Sequence, residues 1–189
     1  MSRRIVIAAV AAVLTLHAAA ALAHGPNQPP HQQYRIGDLT LESGEVIKDF
    51  SISYVTHGTL NAQKSNAVLM VTAISGNHHR LDFLIGPGKA LDTTKYFIVT
   101  TDAIGNGLTT SPSNSQAQPR MAFPRFLIRD MVTSQHRLMT QHLGIPRVVA
   151  VVGPSMGGMQ SLQWGRRTPT SGRSSRWRPR RRHHARHER

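Results

Sequence analysis

Residues 148–160 have the sequence VVAVVGPSMGGMQ, in which a short apolar run is followed at once by a serine between two glycines. The run is typical of a buried strand, and the segment after the serine is compatible with a helix. A G-x-S-x-G sequence between a strand and a helix holds the serine in a strained turn with its hydroxyl exposed above a sheet. Acyl transfer through a covalent intermediate needs such a hydroxyl, so Ser155 is the candidate nucleophile.

Gly153 and Gly157 flank this serine. We expect them to be glycines because the turn brings their backbones too close to neighbouring chain for a side chain. The five-residue pattern by itself occurs often by chance, and its position between a strand and a helix is what gives it weight.

The strands upstream show two kinds of pattern. Polar and apolar residues alternate over 34–40 and 50–56, which predicts an antiparallel pair around a turn at 42–44. Nearly continuous apolar runs at 67–73 and 96–101 predict strands that are buried on both faces.

An apolar stripe over 127–143 predicts a helix that Gly144 and Pro146 end. Because strands alternate with helices from residue 67 onward, the fold class is α/β, with a mostly parallel sheet and antiparallel N-terminal strands.

Four blocks in this chain resemble the homoserine O-acetyltransferase family of α/β-hydrolase-fold proteins. They are YVTHGTLN at 54–61, IGPGKALDT at 85–93, FPRFLIRDMV at 123–132 and GPSMGGMQSLQW at 153–164. The resemblance implies that residues 24–164 are the N-terminal part of an α/β-hydrolase domain. It also implies that the fold is truncated soon after the serine turn.

The resemblance further implies a ping-pong mechanism. Ser155 would take an acyl group from a small-molecule ester or acyl donor and pass it to an alcohol or to water. The oxyanion hole would consist of the backbone N–H groups of Met156 and Ile74, and neither a cofactor nor a metal is implied. The chain departs from the family at Thr72, where a histidine is usual, and in the loop that begins at Asp102.

Residues 1–23 have the pattern of a secretory signal. Arg3 and Arg4 precede an apolar stretch, and 21–23 form a small-x-small cleavage site. Thr15 interrupts the apolar stretch, which favours a cleaved signal over a membrane anchor. We therefore expect a secreted or periplasmic protein. Amino-acid biosynthesis is unusual outside the cytoplasm, so a secreted hydrolase is at least as well supported as an acetyltransferase.

The net charge of +14 is concentrated in residues 165–189, where ten Arg and one Glu contribute +9. This segment lacks the apolar residues that a core needs, so we expect it to be disordered. One interpretation is an Arg-rich arm that binds nucleic acid or an anionic surface, making the chain a secreted basic protein. Nucleic acid is the disfavoured partner, because a secreted protein meets little of it.

The favoured interpretation is a shifted reading frame. Residues 167–171 can be encoded as CGT-ACC-CCG-ACT-TCN, and starting at the third base gives codons for Tyr-Pro-Asp-Phe, which matches the family motif expected there. Residues 173–179 in the same frame allow a buried strand. Resequencing that finds the frame intact would contradict this hypothesis.

The positions after Ser155 hold a poor set of catalytic partners. In this fold the triad runs Ser, Asp or Glu, then His along the chain. Here the single acid is Glu188, and it follows His183, His184 and His187. We therefore predict that the catalytic Asp and His are missing, that the chain is inactive alone, and that the strand at 148–152 becomes an exposed apolar edge.

Other polar residues invite functional interpretations that the sequence supports less well. His78 and His79 could bind a metal, but no acid or Cys lies at ligand spacing, which favours solvated loop histidines. His136 and His142 are expected to pack or face solvent. Arg129 and Asp130 are expected to be local helix charges, with a structural pair near the end of the sheet as the alternative.

Overall fold

The computed structural model describes residues 28–167. The predicted signal at 1–23 and nearly all of the Arg-rich segment, from residue 168 onward, lie outside the described residues.

Five strands form one mixed sheet. They are β1 (Gln32–Thr40), β2 (Val46–His57), β3 (Ala67–Val71), β4 (Phe97–Thr101) and β5 (Ala150–Val152). Their order across the sheet is β1-β2-β4-β3-β5. The β1–β2 and β2–β4 pairs are antiparallel, whereas β3 pairs in parallel with both β4 and β5. The predicted mixture of antiparallel N-terminal strands and parallel later strands is confirmed.

Two α-helices follow in the second half of the described chain. They are α1 (Ile128–Arg137), which continues into a π-helix (Leu138–His142), and α2 (Met156–Arg167). Short 3₁₀ helices occupy Asp82–Leu84 and Arg120–Ala122. The helix predicted over 127–143 is therefore present, but its last turn widens to π geometry.

The pleat of β3 divides the core into two layers. Side chains alternate between the faces of a strand, so Leu69 and Val71 join the cluster that α1 and α2 cover, with Val132, Leu138 and Trp164 among its members. Val68 and Met70 point the other way and pack with Ile85 and Ile98. All five residues of β3 are buried, as the apolar run predicts.

Strand β5 is less protected than β3. It pairs with β3 alone among the described strands, and its three residues are only half-buried. Val149, next to it, is 54% exposed. Among the described strands β5 therefore lies at an edge, as predicted, but its own residues are half-buried and the exposed apolar residue is the neighbouring Val149.

Candidate active site

Ser155 lies in the turn between β5 and α2, one residue before the helix begins. Its side chain is exposed, and its φ of +53° places it in the left-handed region. A serine in that region is held against its own backbone preference, and such strain occurs often at functional sites.

Gly153 and Gly157 let this turn approach the end of β3. A Cβ on Gly153 would lie 2.5 Å from the carbonyl oxygen of Val71, and one on Gly157 would lie 2.6 Å from the same oxygen. Real Cβ atoms are not found so close to a backbone oxygen, so both positions exclude any side chain. The turn thus sits directly on the C-terminal end of β3.

A cleft that contains Ser155 and an adjoining pocket share the lining residues 73–75. An open cleft of about 870 Å³ is lined by Ser155, Ile74, Arg80 and Phe83, among others. A smaller pocket of about 180 Å³ is lined by Ile74 and Met156 together with apolar side chains such as Ile104, Phe126 and Met131. The three residues that the resemblance nominated, Ser155, Met156 and Ile74, are therefore brought to one place.

A buried amide network, which no local pattern of residues predicts, connects α2 to the loop after β3. Gln160 Nε2 donates to the carbonyl oxygen of Thr72 at 3.0 Å, and Gln160 Oε1 accepts from Gln135 Nε2 at 2.5 Å. Trp164 Nε1 in turn donates to Gln135 Oε1 at 2.8 Å. These contacts fix the distance between the helix that begins at Met156 and the loop that carries Ile74.

The prediction that His78 and His79 are solvated is wrong. The side chains of His78 and Asp102 are fully buried, and His78 Nδ1 lies 2.5 Å from Asp102 Oδ2. His79 Nδ1 lies 2.8 Å from Asp82 Oδ2, and its side chain is only 4% exposed. These two contacts were not predictable, because Asp102 lies 24 positions after His78 and the contact of Asp82 with His79 depends on a short 3₁₀ helix.

His79 also lines the cleft that contains Ser155. The cleft therefore contains Ser155, at its expected position, and a histidine that contacts a carboxylate. This histidine and carboxylate precede the serine along the chain, whereas the fold's usual Asp and His follow it. Asp82 Oδ2 additionally accepts a hydrogen bond from Gln28 Nε2 at 3.1 Å.

Two further histidines border this cluster, and burial lowers the pKa of both. His31 stacks obliquely on His78 with ring centroids 5.5 Å apart, and its pKa is lowered by burial first and by the neighbouring His78 second. Burial lowers the pKa of His57 in the same way, while Asp82 opposes the shift. Both histidines are therefore biased toward their neutral forms.

The remaining polar predictions concern the helices. His142 Nε2 lies 2.9 Å from the hydroxyl of Tyr54, and the ring stacks on Tyr34, so this histidine packs. Asp130 is more than a local helix charge: it is buried and accepts the N–H groups of Leu127 and Glu42 at 2.7 and 2.8 Å.

No group of three His, Asp or Glu side chains in residues 28–167 could hold a metal ion. Within the same range, neither helix is long and apolar enough to cross a bilayer.

A family model described as the α/β hydrolase fold matches residues 66–172. This range is more than half of the chain and includes the serine turn, and the chain belongs to the α/β-hydrolase fold family.

Within that family, similar proteins fall under two kinds of name. A homoserine O-acetyltransferase of Leptospira biflexa is 43% identical over 143 residues, covering 67% of this chain and 38% of the relative. A solved acetylester hydrolase of Corynebacterium glutamicum is 45% identical, with a TM-score of 0.70 over 74% of this chain and 41% of that one. The solved acetyl esterase MekB is 40% identical, with a TM-score of 0.72, and the match covers 76% of this chain and 42% of that one.

The resemblance to the homoserine O-acetyltransferase family is confirmed, and it extends to esterases of the same fold. The chain spans between 38% and 42% of the length of these three relatives.

Proposed function

We propose that Ser155 is the nucleophile of a site that accepts acyl groups from small esters or acyl donors. The left-handed conformation of Ser155 is the observation that carries this proposal. That conformation is strained, it presents the hydroxyl to the cleft, and it lies at the strand–helix junction where the fold family holds its nucleophile. Relatives named as acetyl esterase, acetylester hydrolase and homoserine O-acetyltransferase support acyl chemistry in general.

In the proposed step, Ser155 Oγ attacks the ester carbonyl carbon and loses its proton. The bond from that carbon to the alcohol oxygen breaks, the alcohol leaves with a proton, and an acyl-serine remains. Water or a second alcohol then takes the acyl group and restores the hydroxyl. The N–H groups of Met156 and Ile74 are the proposed donors to the oxyanion, and each such donor contributes about 3 kcal/mol in comparable sites.

We further propose that this chain by itself acylates slowly and does not turn over rapidly. Between Ser155 and the last described residue, the chain carries no Asp, Glu or His. His79, which contacts Asp82, lines the cleft, but this pair precedes Ser155 along the chain and is closely packed. Sites that lack their base and acid keep about 10³–10⁴-fold catalysis over water from binding and the oxyanion hole.

The location of this chemistry is also a proposal. The sequence of residues 1–23 supports export, and an exported protein would meet esters rather than cytoplasmic acyl donors. Ester hydrolysis is therefore the favoured reaction over acyl transfer to an amino acid.

The test is to incubate the full chain with an aryl acetate and to follow acetylation by intact-protein and peptide mass spectrometry. We expect one acetyl group on Ser155, formed slowly, with little release of further product. Ser155→Ala removes the adduct, while Ser161→Ala, a matched change six residues later within α2, leaves it. Equal acetylation of the S155A variant, or no adduct in the parent chain, would overturn the assignment of Ser155 as the nucleophile. Rapid Ser155-dependent turnover would overturn the second proposal.

A further inference from the structure

The loop that carries Ile74 has no regular secondary structure over residues 72–81. Ser75 has a φ of +59°, and the local backbone hydrogen bond there runs from Gly76 N to Ala73 O at 3.1 Å. Such a segment keeps one conformation only if contacts from elsewhere in the fold hold it. The direction of the Ile74 N–H therefore depends on those contacts.

Asp102 makes the densest set of these contacts. This residue follows the last residue of β4 and is 1% exposed. Its Oδ1 accepts the backbone N–H of His78 at 3.0 Å and the side-chain amide of Asn106 at 2.8 Å. Its Oδ2 accepts the hydroxyl of Ser53 at 2.6 Å and lies 2.5 Å from His78 Nδ1. A buried carboxylate is tolerated only when donors surround it in this way.

Asn106 connects the same carboxylate to the middle of the loop. Asn106 Nδ2, which donates to Asp102, is within 3.2 Å of the carbonyl oxygen of Gly76 as well. Asp102 is itself fixed, because its N–H donates to the carbonyl oxygen of Ser53 on β2 at 2.9 Å and its carbonyl oxygen accepts from Thr109 Oγ1 at 2.9 Å. The loop is thus anchored to the sheet at two points beyond Ile74.

We propose that Asp102 is a positioning residue that sets the Ile74 N–H toward Ser155. Gln160 holds the loop at Thr72, before Ile74. After Ile74, Asp102 holds the loop at His78 directly and at Gly76 through Asn106. Ile74 itself has an exposed side chain, and it lines both the cleft that contains Ser155 and the adjoining pocket. Asp102 acts through the loop and does not touch the acyl group.

This inference rests on the proposed function for its chemical consequence, but its structural part has an independent readout. Amide hydrogen exchange of peptides that cover residues 73–78 is measured in the full chain, beside acetylation of Ser155 by an aryl acetate. Asp102→Asn is the test variant, because it keeps the shape and removes the charge that the four contacts share. Asp130→Asn is the matched control, since Asp130 is also a buried carboxylate that accepts two backbone N–H groups, but its contacts are at Leu127 and Glu42.

We expect D102N to speed exchange over 73–78 by about tenfold or more, the effect of losing hydrogen bonds to a charged group. Ser155 acetylation is expected to slow by a similar factor. D130N is expected to change neither the exchange over 73–78 nor the rate of acetylation. If D102N does not fold, Asn106→Ala replaces it, because this change removes the amide that links Asp102 Oδ1 to the carbonyl oxygen of Gly76 and leaves the buried carboxylate in place. Faster exchange over 73–78 in that variant carries the same meaning.

Unchanged exchange over 73–78 in a folded D102N or N106A chain overturns the positioning role. So does equally fast exchange there in D130N. If the parent chain forms no acetyl-serine, the proposed function fails, yet the exchange comparison still decides whether Asp102 anchors the loop. If exchange speeds but acetylation does not slow, the loop is anchored by Asp102 and the assignment of Ile74 as a donor is wrong.

Discussion

Strands β3 and β5 are hydrogen-bonded neighbours with similar apolar sequences, AVLMV and AVV, but they are buried to different extents. Every residue of β3 is buried because β4 and β5 flank it and both faces are covered. Every residue of β5 is half-buried because β3 is its one partner in the described chain. An apolar run therefore predicts a strand, while its burial depends on how many neighbours that strand has.

The largest expected effect lies in β3. Leu69→Ala removes a fully buried side chain from the main cluster, and we expect it to lower the free energy of unfolding by about 3 kcal/mol. Val151→Ala in β5 removes fewer atoms from a half-buried position, and we expect about 1 kcal/mol or less. Urea denaturation of both variants tests the comparison, which fails if the two losses are equal.

The junction between the two strands comes next. Gly153→Ala places a Cβ 2.5 Å from the carbonyl oxygen of Val71, so either the turn or β3 must shift. We expect a loss of about 1–3 kcal/mol, typical of overpacking, together with slower acetylation of Ser155. Gly165→Ala in α2 is the matched control, because a Cβ there has nothing within 4 Å and favours the helix. A G153A chain that is as stable as G165A would show that the turn is looser than described.

The smallest effect on stability is expected at the open edge. Val149→Lys puts a charge on an exposed apolar residue while its N–H keeps its bond to the carbonyl oxygen of Ala67. We expect the free energy of unfolding to change by less than about 0.5 kcal/mol and self-association to fall, since charged edges resist pairing. Sedimentation velocity measures the self-association, and urea denaturation measures the free energy of unfolding. Met121→Lys, at a residue that is 98% exposed and far from β5 in sequence, is the control. Equal effects of the two changes would show that β5 is not the associating surface.

Local patterns in the sequence predicted the elements near the site well. Alternation over 34–40 and 50–56 predicted β1 and β2, and the apolar runs predicted β3 and β4. The G-x-S-x-G turn was predictable because its glycines and its flanking strand and helix are contiguous. These features depend on residues that are close together along the chain.

The contacts that hold the site were not predictable in the same way. Asp102 meets His78 across 24 positions, and Gln160 meets Thr72 across 88. No periodicity records which carboxylate or amide will face which loop, so His78 was assigned to solvent. The widening of α1 into a π-helix at Leu138–His142 was missed too, because a single apolar stripe fits either helix.

The pairing of Val68 with Ala150 also sets an order of events during folding. The antiparallel strands β1 and β2 are joined by a short turn and can pair as soon as both exist. By contrast, β5 must find β3 across most of the described chain, and the entropy of closing that loop is lost before the contacts form. We therefore expect the serine turn to be among the last parts to become structured, so that Ser155 stays unreactive until the rest of the sheet has assembled.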